Sequence, residues 1–270
     1  RRAGAAGPHA RLPPRAAAPW DALFGREPVE LPSTMEKVSE ELQSAMMTGV
    51  EKALPRMDVE LPPGLRLGVL ETAPGEVAPS PEAPTPAERA RGDRELAVGF
   101  AMLFTGLKNS KSLCVAFRTE KLAAMAKRSW GDLGGARVVS LPDSRKAFGR
   151  ARSVSSVARR PFLIAVAPSR DQLEQLRDLD EERGGKFCLI LLNAGLRSSA
   201  EPDEIREELA VASNPVFHLR FAGGPEKRGL VYHRLGLPWV VARRGEDGFE
   251  EVSRSDNEPS HREVEEALSR

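Results

Sequence analysis

Apolar positions change their period several times along the chain, and each change marks an element. From residue 33 onward they recur at Val38, Leu42, Ala45, Met46 and Ala53, close to the spacing of a buried helical stripe. Ser33 and Glu36 frame its start as a capping box, the serine accepting a backbone N–H and the glutamate reaching back. Pro55 ends the helix, because proline has no N–H to continue it. Met57, Val59 and Leu61 then alternate with Asp58 and Glu60, which predicts a half-buried strand. Residues 72–93 interrupt the pattern. Pro74, Pro79, Pro81, Pro84 and Pro86 favour extended backbone, so this stretch is expected to form neither helix nor central strand and to loop out of one domain as an insertion.

Beyond the insertion, apolar runs and amphipathic segments alternate. Helices are predicted at 95–107, 119–130, 169–183 and 203–212, and strands at 112–117, 136–141, 162–167 and 187–192, with a polar Arg/Ser segment before the third strand. Strands that are apolar on both faces and separated by helices imply a parallel sheet covered on both sides. After Pro215 the pattern becomes strands joined by turns, at 216–221, 229–235, 238–243 and 248–252. Gly223-Gly224-Pro225 and Gly245-Glu246-Asp247-Gly248 suit hairpin turns. The expected fold is α/β: a Rossmann-like three-layer sandwich whose mixed sheet has a parallel core and antiparallel C-terminal strands. Residues 31–252 make the domain, 1–30 a disordered leader, and 253–270 an acidic tail or short solvated helix opening at Pro259 and Ser260.

Composition narrows the functional classes. Forty basic against 39 acidic residues in 270 give a net charge of +1, which argues against dedicated nucleic-acid binding. No apolar run approaches the roughly 18 residues of a transmembrane helix. Cys114 and Cys188 sit in strand-like runs, and two cysteines make neither a disulfide framework nor a structural zinc site. The leader carries Arg1, Arg2, Arg11 and Arg15 and no acid before Asp21, a composition that resembles an organelle transit segment.

Catalytic motifs are scarce. Gly106-Leu107-Lys108-Asn109-Ser110-Lys111-Ser112 approaches a phosphate loop but lies after a helix and before a strand, the reverse of what that loop requires. Neither G-x-G-x-x-G after a strand nor G-x-S-x-G occurs. His9, His218, His233 and His261 are scattered, and the two strand histidines read as half-exposed rather than as ligands. No carboxylate stands isolated in an apolar run where burial would raise its pKa. No metal site and no cofactor are expected.

A ligand, if bound, belongs beyond the carboxyl ends of the parallel strands. Those ends carry Arg118, Thr119, Ser169, Arg170 and Asn193. Thr119 and Ser169 open helices, where free N–H groups and the helix dipole favour an anion, and the two arginines add charge. Both residues also fit ordinary N-caps, Ser169 with Gln172 as a capping box. Arg145, Lys146, Arg150, Arg152, Arg159 and Arg160 form a basic segment suited to contact RNA, a lipid headgroup or an acidic protein, or simply a solvated loop.

The segment order resembles a plastid and cyanobacterial family known as a domain of unknown function. Its members include the photosystem II assembly factor Low PSII Accumulation three and a domain fused to a plastid adenylate kinase. The resemblance is carried by Leu31-Pro32-Ser33, Asp58-Val59-Glu60-Leu61, residues 162–176, Leu191-Leu192-Asn193 with Leu196, the strand around Phe217, and Gly236-Leu237-Pro238-Trp239-Val240-Val241. It covers about residues 31–243. The chain departs from it at Ala194, where the family often has proline, and at the Pro-rich insertion. The resemblance implies a plastid stromal protein, also peripheral to thylakoids, that binds photosystem or thylakoid-biogenesis proteins and assists assembly without catalysis. The other expectation is a phosphate- or nucleotide-binding domain using the helix N-termini.

Overall fold

The computed structural model describes residues 29–62, 85–105, 113–131, 135–149, 160–197, 203–222, 229–245 and 248–270. Every described helix and strand belongs to Leu31–Arg270, one of the two compact units into which the chain divides. Strands β2 (Leu113–Phe117), β4 (Phe162–Val166) and β5 (Cys188–Leu192) are buried almost throughout, as expected of runs apolar on both faces. They form one nine-stranded sheet with β1 (Arg56–Glu60), β3 (Arg137–Ser140), β6 (Asn214–Ala222), β7 (Gly229–Arg234), β8 (Trp239–Arg244) and β9 (Phe249–Ser255), in the order β3-β2-β4-β5-β1-β6-β7-β8-β9. All pairings from β3 to β6 are parallel, and those from β6 to β9 are antiparallel. The fold is therefore α/β with a parallel core and antiparallel C-terminal strands. The change of direction comes one strand later than the sequence pattern suggests, because β6 still pairs in parallel with β1. Pro215 is tolerated inside β6 because it stands beside a register shift between Asp58 and Val59.

Helices pack on both faces. On one face are α1 (Met35–Glu51), α2 (Pro86–Thr105) and α3 (Glu120–Trp130), whose Glu41, Phe104 and Trp130 meet Tyr232, Phe162 and Phe117. On the other face, α4 (Leu141–Gly149), α5 (Arg170–Arg183) and α6 (Glu204–Ala212) cover Cys114, Ala116, Leu163, Ala165, Leu189 and Leu191. That face continues under α7 (His261–Ser269), which lays Val264, Ala267 and Leu268 on Val231, Trp239 and Val241. Each fully buried Leu, Val or Trp there contributes about 1.5–3 kcal/mol of transfer free energy. A Cβ at Gly229 would overlap the tip of the Leu268 side chain, which would then have to shift.

Several expectations need correction. Thr34, not Ser33, caps α1, its hydroxyl accepting the Lys37 N–H at 3.2 Å. Helix α2 begins at Pro86, inside the stretch expected to stay irregular. Proline is permitted at the first helical position, where no intrahelical donor is needed. Thr85 and Glu88 close a reciprocal cap around it, with bonds of 2.8 and 3.2 Å. Helix α4 replaces the start of the polar segment, with Leu141 and Ser144 buried on its inner face. The final helix is not merely solvated, since Val264, Ala267 and Leu268 are buried. The Pro-rich stretch before Thr85, the Gly106–Ser112 loop, the 223–225 turn and most of the leader lie outside the described residues. Among the described residues no helix is long and apolar enough to cross a membrane.

Candidate functional site

Two observations define the site: an open cleft at the carboxyl ends of the parallel strands, and a buried ionic network forming part of its floor. The cleft follows from connectivity. After β2 the chain turns onto one face as α3, and after the adjacent β4 it turns onto the other as α5, leaving a crevice between. At the strand ends, Ala167 and Asn193 adopt left-handed backbone, with φ of 44° and 51°. Such conformations cost energy in non-glycine residues and persist only where surrounding contacts enforce them. Here the ladder enforces them, since the Ala167 N–H donates to the Leu192 carbonyl at 2.8 Å and the Asn193 N–H to that of Val59 at 2.9 Å.

The cleft encloses about 660 Å³, and Arg118, Ser169, Arg170 and Asn193 all line it. Thr119 does not, because its hydroxyl is turned into the cap of α3 and accepts from the Leu122 N–H at 3.3 Å. Asn193 is a clamp rather than a free donor. Its Oδ1 accepts the Leu61 N–H at 2.9 Å and its Nδ2 donates to Asp93 Oδ1 at 3.0 Å, tying β5, β1 and α2 together. Burial raises the Asp93 pKa, and the Asn193 hydrogen bond opposes that rise. Gln172 ties the other wall: it accepts from the Ser169 N–H at 3.0 Å and donates to the Arg118 carbonyl at 2.7 Å. Arg170 leans on Glu174 and Asp203, whereas Arg118 makes no ion pair among the described residues. Arg89, Arg206 and Arg220 also face the cleft, against the carboxylates Glu60 and Asp93.

Of the basic segment, the described residues Arg145, Lys146 and Arg160 do not line the cleft. Arg145 pairs with Glu182 on α5, and Lys146 approaches Asp143 at 3.9 Å. Arg160 is half-buried just before β4, and Arg150, Arg152 and Arg159 lie outside the described residues.

The network overturns the reading of β1 as a half-buried strand. Asp58 and Glu60 are buried, because β1 stands mid-sheet between β5 and β6 with both faces covered. His218 on β6 is wholly buried, not half-exposed, with Nε2 3.3 Å from Asp58 Oδ2 and Nδ1 3.6 Å from Glu60 Oε2. These are ion-pair contacts without hydrogen-bond alignment. Burial alone would lower the His218 pKa, but the two carboxylates outweigh it and raise it to about 9. Arg197 donates Nε to Asp58 at 3.1 Å and Nη1 to Glu258 at 2.9 Å, and its Nη2 reaches the Ala210 and Ser213 carbonyls. Arg220 closes the chain of charges on Glu258 at 2.7 Å. With His218 protonated, three cations face three anions.

His233 stands opposite His218 across the β6–β7 pair and stacks on Trp239 at 4.4 Å. Burial, then the charge on His218, lowers its pKa to about 4, so the ring is neutral; its Nε2 faces the Pro215 carbonyl at 3.2 Å. Trp239 thus packs in the core beside both imidazoles. Burial raises the thiols of Cys114 and Cys188 to about 11 and about 12, which makes them poor nucleophiles. Among the described residues no three His, Cys, Asp or Glu side chains converge to hold a metal ion.

One signal for the network lay in the sequence. Asp58 and Glu60, His218 and Arg220, and His233 are alternating polar residues in three strands, and pairing aligns Glu60 with His218 and His218 with His233. No curated protein matches the chain. Residues 32–266 match the family described as "Domain of unknown function (DUF1995)", a span that takes in the parallel core, both walls of the cleft, the ionic network and most of α7. The chain belongs to the DUF1995 family.

Proposed function

We propose that this protein binds a small phosphate-bearing anion in the cleft at the carboxyl edge of its parallel sheet. The observation that carries this reading is Arg118, which lines the cleft beside the first turn of α5 and makes no ion pair among the described residues, whereas Arg170, Arg206 and Arg220 are held by Asp203 and Glu258. Helix N-termini stabilise anions through free N–H groups and the helix dipole, and arginine's planar fork suits phosphate oxygens. The test is calorimetric titration with inorganic phosphate at low ionic strength, paired with thermal unfolding. Saturating phosphate is expected to raise the unfolding temperature, since free ligand at 100 times its dissociation constant adds about 2.7 kcal/mol. Arg118→Ala is expected to weaken binding at least roughly tenfold, as loss of a charged hydrogen bond worth about 1.5–3 kcal/mol implies. Absence of heat and of any thermal shift at tens of millimolar phosphate would sink the proposal.

For the cellular setting, we propose a plastid protein of the stroma or the thylakoid surface that assists photosystem assembly by binding other proteins. Its support is the family likeness at Asp58-Val59-Glu60-Leu61 and Leu191-Leu192-Asn193, together with the acid-free, arginine-bearing residues 1–20. Affinity purification from plastids is expected to recover photosystem or thylakoid-biogenesis proteins. Repeated recovery of none of them would remove this reading and leave the cleft proposal standing.

A further inference from the structure

We propose that the cleft takes an organic phosphate monoester, its phosphate among the arginines and its apolar group in a second hollow that opens beside them. This rests on the anion-binding reading above and adds the chemistry of the other half of the ligand. The hollow encloses about 380 Å³ and shares Arg89, Asp93, Arg118 and Ala167 with the larger cleft. Its remaining walls are Pro86, Ala90, Phe117, Leu122 and Val166, all apolar. Both volumes fall within the roughly 300–1,000 Å³ typical of small-molecule sites.

Three elements build the hollow, and each leaves room for a local reason. The first turn of α2 contributes Pro86 and Ala90, neither of which carries a long side chain. Helix α3 contributes Leu122 from its own first turn, half-buried and held there by the Thr119 cap. Strand β4 ends in Val166 and then Ala167, whose left-handed backbone turns the chain away. The hollow therefore lies between the ends of β2 and β4, where adjacent strands send their helices to opposite faces. An anion held at Arg118 would stand at the junction of the two compartments, because Arg118 lines both. An ester group on that anion then has an arginine-lined cleft on one side and an apolar hollow on the other.

The probes are inorganic phosphate and phenyl phosphate, titrated into the full chain under the same conditions. Phenyl phosphate is expected to bind about tenfold tighter, the gain from burying roughly 60 Å² of apolar surface. Ala90→Trp would fill the hollow and is expected to bring phenyl phosphate down to the affinity of inorganic phosphate. Leu122→Ser removes an apolar wall and is expected to shrink the preference too, so the result does not depend on one variant folding. Phenyl phosphate binding no tighter than inorganic phosphate would overturn the second compartment and leave the anion cleft intact. A tenfold preference that survives in both variants would overturn it as well. If neither ligand binds, both proposals fall together.

Discussion

Asp58→Asn is expected to lower the stability of the fold by about 3–5 kcal/mol at pH 7, the cost of leaving a buried ion pair without one partner. The substitution keeps the size of the side chain, so the loss is electrostatic rather than a cavity. Asp58 faces two cations: Arg197 Nε at 3.1 Å and His218 Nε2 at 3.3 Å. With the charge gone, Arg197 still has Glu258 and two backbone carbonyls. Among the described residues His218 then has only Glu60, at 3.6 Å, to offset its complete burial. The imidazole is therefore expected to lose its proton at neutral pH, so its pKa falls together with the stability. Urea unfolding followed by tryptophan fluorescence reads the first effect, and the imidazole NMR signals read the second. Most point substitutions cost less than about 3 kcal/mol, and surface ones usually stay within about 0.5. A loss under about 1 kcal/mol, with the His218 titration unmoved, would show that Asp58 does not hold this network.

The parallel core was legible because its physics is local. FLIAVA and FCLILL are six-residue apolar runs too short for a helix of their own and flanked by turn or helix signals, which favours strands covered on both faces. Strands β4 and β5 fall within one residue of those runs. The ends of those strands were legible for the same reason, and four of the five residues expected there line one cleft. What the pattern does not encode is strand order. Met57-Asp58-Val59-Glu60-Leu61 reads the same in a half-exposed edge strand and in a central one. Only the placement of β1 between β5 and β6 turns its carboxylates into buried ones. Composition masked α7 similarly. Val264, Ala267 and Leu268 have helical spacing, but the surrounding acids suggest a solvated element, and the family match continues through Glu266. Pro86 misled for a positional reason, since the residue that forbids a helix interior is at home in its first turn.

Stability is expected to peak near pH 6.5 and to fall on both sides, because the two facing histidines are perturbed in opposite directions. His218 has a folded pKa of about 9, above its usual 6.5. Its contribution is complete below pH 6.5 and is lost as pH rises through 9. His233 has a folded pKa of about 4 against the same 6.5. Its contribution is complete above pH 6.5 and is lost as pH falls toward 4, because the unfolded chain takes up a proton that the native ring refuses. At about 1.4 kcal/mol per pH unit, each limb is worth of the order of 3 kcal/mol. The charged groups around the pair are Asp58 and Glu60 on β1, Arg220 on β6, Arg197 after β5 and Glu258 before α7. The alkaline limb is the cleaner to read. The buried thiols of Cys114 and Cys188 add to it only near pH 9 and above, where unfolded thiols ionise. Urea midpoints between pH 6.5 and 8.5 thus isolate His218, and Asp58→Asn is expected to flatten them over that range. Wild-type midpoints that stay level or rise from pH 6.5 to 8.5 would mean that His218 is neutral in the fold, and the charge balance of the network would be lost with it.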